Sequence, residues 1–114
     1  MRDNVDGALY ASMLYDFYGE LLSDSQREVT ALYNEDNLSL SEIAEELGQS
    51  RQAVHYTLKK AEAALNEFED KLGLIKTYEN NQKLAEKAAD MIDRLNLKEN
   101  EADKLKCLIR ELAE

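Results

Sequence analysis

Apolar residues recur every three or four positions along nearly the whole chain, and turn-forming residues cut that pattern into six stretches. Val5, Leu9, Met13, Phe17 and Leu21 form the stripe of a first helix running from Val5 to Leu22, with Leu14 and Tyr18 beside it. Ser23 and Gln26 have the spacing of a capping box. They predict a second helix from about Asp24 to Asn34 that buries Val29, Leu32 and Tyr33. The run Asn34-Glu-Asp-Asn37 ends it, because such side chains compete for backbone hydrogen bonds. A third helix opens with Ser39 as N-cap and Glu42 three residues on, and Leu38 and Ile43 are placed to staple its entry. Gly48 stops it. Ser50 caps a fourth helix with no stop before Gly73, whose Val54, Leu58, Ala61, Leu65, Phe68 and Leu72 alternate in spacing by four and three, a sustained heptad seam. Ile75, Tyr78, Leu84, Ala85, Ala88, Met91, Ile92 and Leu95 predict a fifth helix. Ala102, Leu105, Leu108, Ile109 and Leu112 predict a sixth, with residues 96–100 between them.

Composition agrees with an all-α class. Proline and tryptophan are absent, and the helix formers Leu, Ala, Glu and Lys dominate. A chain of 114 residues builds one modest core with little apolar surface to spare for a second. The pattern divides into a helix-turn-helix domain over residues 1–72, of winged-helix-like or sigma-region-four-like type, and a C-terminal helical extension over residues 73–114. The seam of the fourth helix and the C-terminal apolar residues still need cover, so the extension is expected to serve oligomerisation in a homodimer. The single cysteine, Cys107, cannot close an internal disulfide, which favours a reducing compartment. It sits among Leu105, Leu108 and Ile109 and is expected to be a packed small residue. Asp3 and Asp6 interrupt any signal-peptide pattern. No apolar run approaches the roughly 20 residues needed to span a bilayer. These features predict a cytoplasmic protein without membrane insertion.

The segment Ser41 to Ala61, SEIAEELGQSRQAVHYTLKKA, carries the most specific signal. Ala44, Gly48 and Val54 have the spacing A-x3-G-x5-V. Two crossing helices need a small residue at their contact, a glycine in the tight turn and an apolar residue on the inner face of the second helix. Ile43, Leu47 and Leu58 complete the inner set. Opposite it, at about 100° per residue, Gln52, His55, Tyr56 and Lys59 point outward, with Arg51 at the N-terminal edge and Lys60 on the flank. Gln pairs with adenine in the major groove, and Arg and Lys suit guanine or phosphate. These six, Arg51, Gln52, His55, Tyr56, Lys59 and Lys60, are the candidate DNA-contacting residues.

Charge sharpens this assignment. Of a net −10, residues 1–48 hold 11 acids and 2 bases, and residues 61–114 hold 13 acids and 9 bases, whereas residues 49–60 hold three bases and no acid. The same chain offers little for catalysis. It has one histidine, no phosphate-cradling glycine loop, no Cys/His cluster and no nucleophile paired with a base. No enzyme activity, cofactor or metal is expected. The acidic pairs Glu35-Asp36, Glu45-Glu46 and Glu69-Asp70 read as solvated surface. The aromatic residues Tyr10, Tyr15, Phe17, Tyr18 and Tyr33, at helical spacing in an acidic region, read as core and rim packing rather than a stacking platform.

Residues from about Leu21 to Leu65 resemble region four of sigma-70-type transcription factors, a helix-turn-helix that reads a promoter element. DFYGELL from Asp16 to Leu22, Gln26, the Leu32-Tyr33 pair, SLSEIAEELG, SRQAV from Ser50 to Val54, and EFEDKLGL from Glu67 to Leu74 are similar more closely to the YlxM family of small bacterial proteins. The resemblance covers about residues 9–76 well and the last forty poorly. It implies a DNA-binding regulatory protein linked to the signal recognition particle pathway, because the family's gene neighbours those of the particle's GTPase components. Two positions depart from the pattern. Gln49 stands where an aliphatic residue is common in the turn, which predicts a looser turn. His55-Tyr56-Thr57 lacks an acid expected in YlxM relatives, which leaves the helix more basic.

Two functions follow from these observations. In one, the fourth helix binds DNA, with only Arg51, Lys59, Lys60, Arg27 and Lys71 near the motif to neutralise phosphate; affinity is then weak unless a dimer doubles the contacts. In the other, the chain is a protein-binding accessory factor of the targeting GTPases or of other signal recognition particle components, and the helix-turn-helix is a scaffold.

Overall fold

The computed structural model describes residues 4–114, and side chains from Gly7 onward. The order is α1 (Asn4–Tyr18), a 3-10 turn (Gly19–Leu21), α2 (Asp24–Asn34), α3 (Leu40–Leu47), α4 (Arg51–Leu72), α5 (Leu74–Arg94) and α6 (Glu99–Ala113), with no strand among the described residues. The chain divides after Gly73 into two compact units. Among the described residues, no helix is long and apolar enough to cross a membrane.

Local chemistry sets the helix ends. The Ser23 hydroxyl accepts from the Gln26 N–H at 3.3 Å, and the Gln26 side chain accepts from the Ser23 N–H at 3.4 Å. The second capping box is tighter. The Ser39 hydroxyl accepts from the Glu42 N–H at 3.1 Å, and the Glu42 carboxylate accepts from the Ser39 N–H at 3.0 Å. Each box satisfies donors that a helix start leaves orphaned. Gly48 closes α3 at φ +66°, in the left-handed region that L side chains avoid. The Gln49 N–H donates to the Ala44 carbonyl at 2.9 Å. The turn is therefore closed by backbone bonds, and Gln49 does not loosen it: its amide serves the turn while its side chain stays exposed.

The core of the first unit forms where α2, α3 and α4 cross. Val29, Ile43, Ala44, Val54 and Leu58 are buried, with Leu32, Leu38, Leu40 and Leu47 packed around them. Val29, Ile43 and Val54 have essentially no exposed surface. Each contributes on the order of 1.5–3 kcal/mol through burial alone. Leu38 sits against the cluster that holds Ile43, as a staple requires. Tyr33 is half-exposed instead of buried, because it falls at the last turn of α2, beyond the crossing.

α1 departs from the expected stripe. Leu14 and Tyr18 are its buried line, continued by Leu22 past the 3-10 turn, whereas Leu9, Phe17 and, in that turn, Leu21 are exposed and Met13 is half-buried; Val5 lies outside the residues whose side chains are described. α1 is apolar on more than one side, and the side chosen is the one that meets α4. There Tyr18, wholly buried, packs its ring 6.0 Å from that of Phe68 and donates its hydroxyl to the Glu69 carboxylate at 2.6 Å. The α-helix ends at Tyr18, four residues short of the expected end, and tightens into the 3-10 turn at Gly19. A Cβ on Gly19 would meet the Tyr15 ring at 3.1 Å. The aromatic residues thus serve packing: Tyr18 in the core, Tyr10 and Tyr15 half-buried, Phe17 and Tyr33 at the rim.

The second unit is a helical hairpin. Ile92 and Ala113 are buried, Lys106 on α6 pairs with Asp93 on α5, and the Gln82 amide donates to the Ala113 carbonyl at 3.2 Å. Cys107 is exposed, contrary to the packed position expected for it. Lys106 and Ile109 occupy the side of α6 that meets α5, and at 100° per residue this turns Cys107 outward.

Two outcomes test this account of the third helix. The backbone hydrogen bond from Ser39 holds the Glu42 carboxyl below its ordinary value of 4.5. Its stabilisation is present above that value, which applies to the unfolded chain, and is lost as pH falls through the lower folded value. Glu42→Gln keeps the acceptor oxygen without titrating. The stability advantage of the wild type over this variant in urea denaturation should therefore shrink as pH drops from about 7 to about 3; a constant difference contradicts the capping box. Gly48→Ala should lower stability by about 1 kcal/mol, read from the same urea midpoints, and an unchanged midpoint contradicts the left-handed closure.

Candidate nucleic-acid interface

The three-residue turn Gly48-Gln49-Ser50 sets the direction of α4. The Ser50 hydroxyl accepts from the Ala53 N–H at 3.0 Å and fixes the first turn. Val54, Leu58, Ala61 and Leu65 then face inward, all buried. With that side committed to α2 and α3, the opposite side of the first three turns is held rigidly outward.

All six sequence-predicted residues, Arg51, Gln52, His55, Tyr56, Lys59 and Lys60, are exposed. Helical spacing puts Gln52, Tyr56 and Lys59 on the line opposite the buried side, with His55 beside Lys59 and Lys60 beyond Tyr56. Arg51 stands apart from this line, at the helix start and nearer the core side. None of the six lines the main groove of this unit. A groove of about 810 Å³ lies elsewhere in it, between α1, the α2–α3 connection and α4 from Glu62 onward, lined by Tyr10, Tyr33, Asn34 and Asn66 among others. The six therefore form a protruding ridge. A ridge enters a groove on a partner rather than enclosing a small molecule, and a duplex major groove about 12 Å wide admits one helix.

The electrostatics of the ridge are less open than its exposure implies. Lys59 Nζ lies 3.4 Å from Glu62 Oε2, and Lys60 Nζ lies 5.5 Å from the Tyr56 ring centroid. The outlying bases are also engaged: Arg27 with Asp24 at 2.7 Å and Lys71 with Glu67 at 3.0 Å. These are exposed pairs, worth at most about 1 kcal/mol each, so a phosphate competes with them readily. Both contacts on the ridge follow i,i+3 and i,i+4 spacings that the sequence carries at Lys59–Glu62 and Tyr56–Lys60. Among the described residues no group of three His, Cys, Asp or Glu side chains is placed to hold a metal ion.

Comparison with known proteins agrees with the geometry of α3, the turn and α4. A family model described as "UPF0122: Putative helix-turn-helix protein, YlxM / p13 like" matches residues 5–106. The match thus extends through the first half of α6, well past residue 76, where the recognisable motifs fade. The UPF0122 protein of Thermoanaerobacter sp. (strain X514) is 43% identical over 108 residues, covering 95% of this chain and 92% of that protein. The UPF0122 protein of Geobacillus kaustophilus (strain HTA426) is 45% identical over 101 residues, covering 89% of each. That of Bacillus thuringiensis (strain Al Hakam) is 48% identical over 79 residues, covering 69% of this chain and 72% of the relative. With its helices, caps and tight turn in place and its relatives aligned along nearly its full length, the chain belongs to the UPF0122 family of YlxM/p13-like helix-turn-helix proteins.

Proposed function

We propose that this protein is a DNA-binding regulator associated with the signal recognition particle targeting pathway, acting in the cytoplasm as a homodimer and not as an enzyme. One observation carries the DNA part of this reading: an exposed ridge of Arg51, Gln52, His55, Tyr56, Lys59 and Lys60, in a stretch, residues 49–60, that holds three bases and no acid. Lys59, Lys60 and Arg51 neutralise phosphate, Gln52 reads a base edge, and Tyr56 and His55 supply contact surface. Three bases give little affinity against an acidic background of net −10. Two copies double the phosphate contacts and address two half-sites. The link to protein targeting rests on the resemblance to the YlxM family alone.

A second reading is favoured by the charge. Lys59 is already paired with Glu62, and acids dominate both sides of the ridge. On this reading the helix-turn-helix is a scaffold, and the acidic surface meets a basic partner among the targeting GTPases or the ribonucleoprotein.

Fluorescence anisotropy with labelled genomic duplexes separates the two. If the ridge binds DNA, changing Lys59 and Lys60 together to Ala should weaken binding to every sequence and reduce the salt slope by about one unit per lost phosphate contact. Gln52→Ala should instead relax the preference at a single base pair, by roughly 1–3 kcal/mol. Absence of binding by the unmodified protein at low salt sinks the DNA reading and leaves the scaffold reading, for which pulldown of targeting components is the direct assay.

A further inference from the structure

The second unit leaves an apolar face uncovered. Leu84, Met91 and Leu95 are 61, 62 and 64% exposed, and Leu105, Leu108 and Leu112 are 42, 58 and 82% exposed. These six are not scattered. α5 carries two adjacent heptad lines: Ala85, Ala89 and Ile92 turn toward α6, and Leu84, Ala88, Met91 and Leu95 run beside them. α6 repeats the arrangement, with Ala102, Lys106, Ile109 and Ala113 toward α5 and Leu105, Leu108 and Leu112 beside them. Because the helices are antiparallel, the two outer lines open to the same side of the hairpin. Leu84, Ala88 and Leu112 accordingly line one shallow groove of about 270 Å³ between α5 and α6.

We infer that this face is the seat of a second copy of the chain, the two hairpins closing into a four-helix bundle; the inference rests on the homodimer proposed above and names its surface. Three observations select this occupant. First, each helix carries a second heptad line of the kind that four-helix bundles bury, and a hairpin supplies only two of the four helices. Second, all six residues are between 42 and 82% exposed and share one side of the hairpin, so together they form a contiguous apolar patch at or above the roughly 300–600 Å² of the largest patch on a typical monomer. Third, the borders are self-complementary in charge. Lys83, Lys87 and Arg94, against the single Asp90, edge the α5 line, and Glu101 and Glu111, against the single Lys104, edge the α6 line. A twofold axis sets α5 of one copy beside α6 of the other, so each mainly basic border meets a mainly acidic one. Cys107 lies on the far side of α6 from both lines and stays outside the bundle.

Sedimentation equilibrium of the full chain at micromolar concentration tests this. The unmodified protein should have twice the chain mass of 13.0 kDa. Leu112→Glu, at the most exposed of the six positions, should sediment at the mass of one chain with its helical circular dichroism retained. Leu84→Glu should repeat the result from the other helix, and Leu21→Glu, an exposed leucine of the first unit, should leave the dimer intact. Maleimide should label Cys107 as fast in the dimer as in the monomeric variant. A dimer that survives both Leu84→Glu and Leu112→Glu, or that protects Cys107, overturns the face while leaving the homodimer standing. A monomeric unmodified protein overturns both.

Discussion

The crossing of α3 and α4 is the constraint on which the rest of the first unit depends. The two helices meet at Ala44, whose small side chain lets Val54 and Leu58 close against Ile43 and Val29. They can meet there only because Gly48 reverses the chain in a left-handed conformation and the Gln49 amide returns to the Ala44 carbonyl. Three residues of turn thus decide which side of α4 is buried, and hence which side is presented. The outward ridge is a consequence of the inward seam: with Val54, Leu58, Ala61 and Leu65 fixed in the core, Gln52, Tyr56 and Lys59 have nowhere else to point.

The length of α4 extends that constraint. Its first three turns form the ridge, and its later turns receive α1 through Tyr18 and Phe68. The hydroxyl of Tyr18 finds its acceptor in Glu69, and the buried Thr30 hydroxyl donates to the Gln26 carbonyl at 2.7 Å. Both arrangements follow from the cost of leaving a buried polar group unpaired. One helix therefore links the exposed ridge to a packed shoulder, which holds the ridge in place.

Much of this was legible in the sequence because its signals are local. The Ser39–Glu42 and Ser23–Gln26 boxes and the glycines at the ends of α3 and α4 each lie within a few residues of one another, and the structure has all of them; the heptad seam is buried at Val54, Leu58, Ala61 and Leu65 and half-buried at Phe68, while Leu72, at the end of α4, is exposed. Burial that depends on distant partners is not carried by local signals. α1 is apolar around more of its circumference than one stripe, and only contact with α4, about fifty residues away, selects Leu14 and Tyr18 over Leu9 and Phe17. Cys107 is exposed, not packed, for a related reason. Apolar neighbours in sequence are not neighbours in space on a helix, and Leu105 and Leu108 are themselves exposed. The exposure of the six ridge residues followed from periodicity alone; what they bind does not follow from periodicity.

The central claim is that the outward side of α4 is the surface that meets DNA. Amide chemical-shift mapping of the full chain, titrated at low salt with short genomic duplexes, addresses it residue by residue. The account predicts that the largest perturbations fall between Gln49 and Lys60, strongest at Arg51, Gln52 and Lys59, and that they fade as salt is raised. Perturbations confined to α5 and α6, or a spectrum that DNA leaves unchanged, would contradict it.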